Sequence, residues 1–113
     1  MKYKISLFFF LLLFLSEIVV AQAPKVLFIG NSYTEVNNLP NLIKSVANSV
    51  GESIEFSSNT PGGCTFQQHC NNQSMDLICQ GGWDYVVLQE QSQYPSFPIT
   101  QVQNEVFPFA ARL

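Results

Sequence analysis

Three polar clusters each follow an apolar run in this sequence, and their residue types suit one kind of chemistry. Val26-Leu27-Phe28-Ile29 leads into Gly30-Asn31-Ser32. Ser53-Ile54-Glu55-Phe56-Ser57-Ser58 leads, through the turn cluster Asn59-Thr60-Pro61, into Gly62-Gly63-Cys64-Thr65. Tyr85-Val86-Val87-Leu88 leads into Gln89-Glu90-Gln91-Ser92. A serine hydroxyl can attack a carbonyl carbon, which puts negative charge on the carbonyl oxygen. Fixed hydrogen-bond donors must face that oxygen, and losing one typically costs about 2.7–4 kcal/mol of transition-state stabilisation. Ser32 is the candidate nucleophile. The backbone N–H of Ser32, the backbone N–H of Gly63 and the side-chain amide of Gln91 are the candidate donors. Glycine suits position 63 because a substrate must approach the backbone closely there.

These groups act together only if the elements behind them bring the clusters to one place. Val26–Ile29 reads as a strand buried on both faces. Leu39, Leu42, Ile43, Val46 and Val50 recur at helical spacing, with Pro40 tolerated in the first turn and Gly51 a fitting stop. A helix over 39–50 is therefore expected to cover one sheet face. Residues 53–58 alternate and predict a second, shorter strand. Residues 65–80 form a weaker helical segment, interrupted at Asn71 and Asn72 and ended by Gly81-Gly82. Tyr85–Leu88 is the third strand. Thr100 with Gln103 makes a capping-box pattern before Val102, Val106, Phe109, Ala110 and Leu113, with a kink expected at Pro108. The order β-α-β-α-β-α predicts an α/β fold with a parallel sheet and right-handed crossovers. In such a sheet the C-terminal strand ends share one edge, the edge where ligands bind, so the clusters should converge.

The chain of 113 residues suffices for one small domain. Lys2 and Lys4, then the Leu and Phe run Leu7–Leu15, then Ala21 and Ala23 have the layout of a secretory signal peptide over residues 1–21. The apolar run is too short for a comfortable membrane span, and Glu17 argues against a permanent anchor. Residues 22–113 are then a secreted or periplasmic domain with no membrane association after cleavage. Beyond residue 21, Lys25, Lys44 and Arg112 face seven acidic residues, for a net charge of −4. That balance excludes a basic nucleic-acid footprint. Export permits a disulfide among Cys64, Cys70 and Cys79, as Cys70–Cys79 or Cys64–Cys70, and leaves one cysteine over. His69 is the only histidine and no Cys-x-x-Cys occurs, so a zinc site is poorly supported. Gly62-Gly63 lacks the following Lys-Ser/Thr of a phosphate-binding loop.

Gly30-Asn31-Ser32-Tyr33-Thr34 resembles the Gly-Asp-Ser nucleophile motif of the SGNH/GDSL hydrolase superfamily. Gly63 matches that family's oxyanion-hole glycine, and Gln89-Glu90-Gln91 takes the place of its Gly-x-Asn motif. The wording of the three motifs is similar to a bacterial branch of the superfamily, and the resemblance runs from Lys25 to about Ser92. It implies a three-layer α/β/α, flavodoxin-like fold. It also implies a secreted serine esterase, without a cofactor, acting on acyl esters such as acetylated carbohydrates. Three departures stand out. Asn31 replaces the usual aspartate. Gln91 replaces the usual asparagine and is one methylene longer. The late Asp-x-x-His that supplies the family's base and triad acid does not occur here.

The sequence also stops within a helical pattern whose apolar stripe has little left to pack against. Residues 22–113 are therefore expected to be the N-terminal part of a larger SGNH-like domain, truncated after the third strand and following helix and inactive alone. His69 reads as a surface or locally hydrogen-bonded histidine rather than a base. Asp76 and Asp84 read as helix-surface and loop residues, and Trp83 as packing against the sheet end. The alternative is a non-catalytic carbohydrate-binding module, or a non-functional fragment, on the same fold. Oligomeric state stays open.

Overall fold

The computed structural model describes residues 21–113, so all of the expected signal peptide but Ala21 lies outside the described residues. In chain order the elements are β1 (Lys25–Ile29), α1 (Ser32–Glu35), α2 (Leu39–Ser49), β2 (Glu55–Asn59), α3 (Phe66–His69), α4 (Gln73–Gln80), β3 (Tyr85–Leu88), a short 3-10 turn (Tyr94–Ser96), α5 (Ile99–Glu105) and α6 (Phe107–Ala110). The strands form one open sheet in the order β2-β1-β3, and both pairings are parallel. The chain is an α/β protein, as the alternation predicts.

The apolar run 26–29 becomes β1 because only a central strand can bury every side chain. Leu27, Phe28 and Ile29 are all buried, and β1 pairs along both edges. β3 is equally apolar but lies at the sheet's edge, so Tyr85, Val86 and Val87 remain exposed. From β1 the chain crosses to β2 on one side and then returns to β3 on the other. The connections therefore diverge at β1, which places a switch-point crevice beyond its C-terminal end. The register is level there: Ile29 pairs with Asn59 and with Leu88. Three loops begin at one height.

Local signals set most helix limits. The predicted 65–80 segment is two helices, broken at residues 70–72, and Gly81 caps the second at φ +68°. Pro108 leaves its mark as a break at Val106 between α5 and α6. Three expectations fail. The capping box is not at Thr100: Pro98 takes the N-cap of α5 and its fixed φ starts the helix early, with Thr100 already inside it. The box occurs instead at Thr65, whose hydroxyl accepts from Gln68 N–H while the Gln68 side chain accepts from Thr65 N–H.

The second failure is α2. Its periodicity is right, but Leu39, Leu42, Ile43, Val46 and Val50 are exposed and only Pro40 is buried. Helical spacing identifies an apolar face; it does not identify what that face meets. The third is the C-terminal stripe. Val102 and Val106 pack with Phe66 in a buried cluster, flanked by Leu88, Tyr94, Phe97, Phe109 and Leu113. The loop after β3 folds back and supplies the partners. Among the described residues no helix is long and apolar enough to cross a membrane.

Candidate functional site

The three strand-end loops are tied to one another pairwise. Asn31 Nδ2 donates to the Cys64 carbonyl at 3.1 Å, joining the first loop to the second. Asn31 N–H donates to Gln89 Oε1 at 3.1 Å, and the Thr34 hydroxyl donates to the same oxygen at 2.9 Å, joining the first to the third. Phe66 N–H donates to Glu90 Oε1 at 2.9 Å, joining the second to the third. The expected convergence of the clusters is therefore present as hydrogen bonds.

Each tie fits the residue that makes it. Asn31 is buried and extended, and it caps α1 by accepting from Tyr33 N–H through Oδ1. Its amide faces the Cys64 carbonyl at the same time, so it needs both a donor and an acceptor. An aspartate carboxylate would supply only the acceptor. Gly30 has no room for a side chain. A Cβ there would lie 2.7 Å from Thr34 Oγ1 and 2.8 Å from Gln89 Oε1. Glu90 is buried; Oε1 accepts from both Phe66 and Gln91 N–H groups, while Oε2 is buried with no partner among the described residues.

Ser32 opens α1 and is half-buried. Its N–H takes no acceptor and its Oγ makes no hydrogen bond among the described residues. It borders a surface depression whose described walls include the exposed Tyr33 and Val36. Gly63 is exposed at φ +70°, a conformation that favours glycine, with open space around its Cα. Its N–H likewise takes no acceptor among the described residues. Gln91 is half-buried, and its Oε1 accepts from Gln93 N–H at 2.8 Å. Only the Gln91 amide oxygen bonds locally; its Nε2, the expected donor, makes no hydrogen bond to Ser32 or Gly63.

His69 is not at the surface; it is the hydrogen-bonded histidine of the other expectation, with both ring nitrogens engaged. It is fully buried. Nε2 lies 2.8 Å from the Gly30 carbonyl and Nδ1 lies 2.7 Å from Ser74 Oγ. Ser74 Oγ accepts from Asn59 Nδ2 at 2.8 Å, and Asn72 Oδ1 accepts from Ser74 N–H at 2.8 Å and from Asn59 Nδ2 at 3.2 Å. Asn59, Asn72 and Ser74 are site residues that the sequence did not single out, while Gln89 and Glu90 stood in the third cluster without a role of their own. Asn59 ends β2 and Gln89 follows β3, so an amide directly at a strand end was the available signal.

The cysteines are all free thiols, Cys64 and Cys70 buried and Cys79 exposed; neither candidate bridge is formed. Burial pushes the Cys64 thiol up, opposed by a hydrogen bond from the Asn72 amide, and Glu90's charge adds to the rise. Burial also raises Cys70, against the charge of Arg112. Neither thiol is poised to be a thiolate nucleophile. Trp83 is half-buried and donates to the Leu77 carbonyl at 2.7 Å; exposed Asp84 accepts from Lys25 N–H at 2.7 Å. Asp76 is exposed on α4. Comparison of the chain with protein-family models, with curated proteins and with solved structures found no match.

Proposed function

We propose that these loops form the nucleophile and oxyanion side of a serine esterase site of SGNH/GDSL type. Ser32 attacks an ester carbonyl, the alcohol leaves, and water releases the acyl group from Ser32. The N–H groups of Ser32 and Gly63 stabilise the oxyanion, joined by the Gln91 amide once it turns away from Gln93. The fold belonging to this reading is the three-layer, flavodoxin-like one, of which a 2-1-3 parallel order is the beginning. The observation that carries the reading is the position of Ser32. It stands at the switch-point edge, half-buried, with its N–H and hydroxyl uncommitted among the described residues, beside a tied set of loops.

Export through residues 1–21 makes small acyl esters, such as acetylated carbohydrates, the substrate class that suits it. Serine is a poor nucleophile without a base. His69 is committed to Gly30 and Ser74, so the base for Ser32 comes from outside the described residues. In the full gene product, Ser32→Ala is expected to abolish hydrolysis of a chromogenic acetyl ester; unchanged turnover would remove Ser32 from the role. A polypeptide of residues 22–113 alone is expected to show little turnover, and robust activity would show that its base lies among these residues.

The commitment of His69 also favours a second reading, a non-catalytic carbohydrate-binding module on the same fold. Calorimetry with acetylated and deacetylated oligosaccharides separates the two. Binding that survives in a protein without esterase activity supports the module.

A further inference from the structure

We propose that His69 is a positioning residue for Ser32, whose Nε2–H holds the Gly30 carbonyl and so fixes the Gly30–Asn31 peptide plane, one residue before the serine's own peptide. The partners dictate the tautomer. A carbonyl only accepts, so Nε2, 2.8 Å from the Gly30 oxygen, carries the proton. Nδ1 then holds a lone pair and accepts from Ser74 Oγ–H at 2.7 Å. Ser74 Oγ accepts from Asn59 Nδ2, and Asn72 Nδ2, which can only donate, lies 3.4 Å from Nδ1 on the lone-pair side.

The consequence falls on the Gly30–Asn31 peptide. His69 holds its carbonyl, and Gln89 Oε1 holds its N–H at 3.1 Å. A peptide plane gripped at both polar ends cannot rotate. Asn31 itself is extended, at φ −142° and ψ −153°, with its side chain held by the Cys64 carbonyl and the Tyr33 N–H, so plane and side chain together set how the chain enters Ser32. The bonds run without a gap from Asn59 at the end of β2, through Ser74 on α4 and His69 on α3, to Gly30 after β1 and Gln89 after β3. One buried imidazole therefore joins all three strand ends. Linked bonds of this kind reinforce one another in a low-dielectric interior.

The catalytic consequence rests on the reading of Ser32 as a nucleophile; the positioning does not. Nitrogen NMR of the full gene product at neutral pH is expected to show His69 with its proton on Nε2. His69→Asn cannot reach the Gly30 carbonyl and is expected to shift the Asn31 and Ser32 amide resonances. It should also lower kcat about 100-fold with KM unchanged, the loss typical of a small misplacement. His69→Gln places an amide N–H near Nε2 and is expected to return both readouts towards wild type. An Nε2 without a proton, or unmoved Asn31 and Ser32 resonances in His69→Asn, would overturn the proposal. Should Ser32→Ala leave turnover intact, the esterase reading falls while the tautomer and amide shifts still decide the positioning. The tautomer is read in the wild-type protein, so the test survives even if a variant fails to fold.

Discussion

A single methyl group added at position 30 probes how closely the strand ends are tied. Gly30→Ala would place its Cβ under 3 Å from both Thr34 Oγ1 and Gln89 Oε1, atoms that are bonded to each other. Both must move, and the Asn31–Gln89 bond is strained with the second. Overpacking of this kind typically costs about 1–3 kcal/mol, and urea unfolding should register it. Asn31→Asp is nearly isosteric, yet it turns the donor to the Cys64 carbonyl into a second acceptor. A buried carbonyl left without its donor costs about 1–3 kcal/mol. Asn31→Asp is therefore expected to destabilise the protein in urea unfolding by that order, and a wild-type midpoint would refute the assigned role. The strand-end serine and the convergence of the loops were legible in sequence, because strand ends in a parallel sheet share an edge. The role of Asn31 was not. A motif position shows where a residue stands, whereas its partner, Cys64, lies 33 residues away.

At the scale of elements, the helix starts divide into those decided locally and those decided by tertiary context. Thr65 and Gln68 satisfy each other's neighbouring N–H groups at the start of α3, the helix that carries His69. Thr65→Ala is expected to lower stability by about 0.5–2 kcal/mol in urea unfolding, the usual cost of losing an N-cap. The break between α3 and α4 at Asn71–Asn72 was readable because asparagine caps helices and competes with helical backbone bonds. The fate of the α2 stripe was not readable, since periodicity carries no information about the partner. With Leu42 and Val46 exposed at 52% and 67%, Leu42→Gln and Val46→Lys should each change stability by less than about 0.5 kcal/mol. A loss of 2 kcal/mol or more by either would mean that this face is covered in solution.

Across the whole molecule, the cysteines report on the integrity of the structure. Cys79 is exposed, while Cys64 sits in the second strand-end loop and Cys70 at the end of α3, both buried. With a thiol-specific dye, Cys79 should react at once and the other two only as fast as the structure opens. The same burial links stability to pH. The Cys64 and Cys70 thiols have pKa values raised above the ordinary 9.0, so the folded state holds their protons more tightly than the unfolded state does. Below about pH 9 both states are protonated and the thiols favour neither. As pH climbs through 9 towards the raised folded values, the unfolded chain loses those protons first, and stability falls. Urea midpoints measured from pH 8 to 10.5 should therefore decline, and the decline should be shallower in a Cys64→Ala/Cys70→Ala variant. An identical slope in that variant would show that the two buried thiols do not carry the alkaline loss.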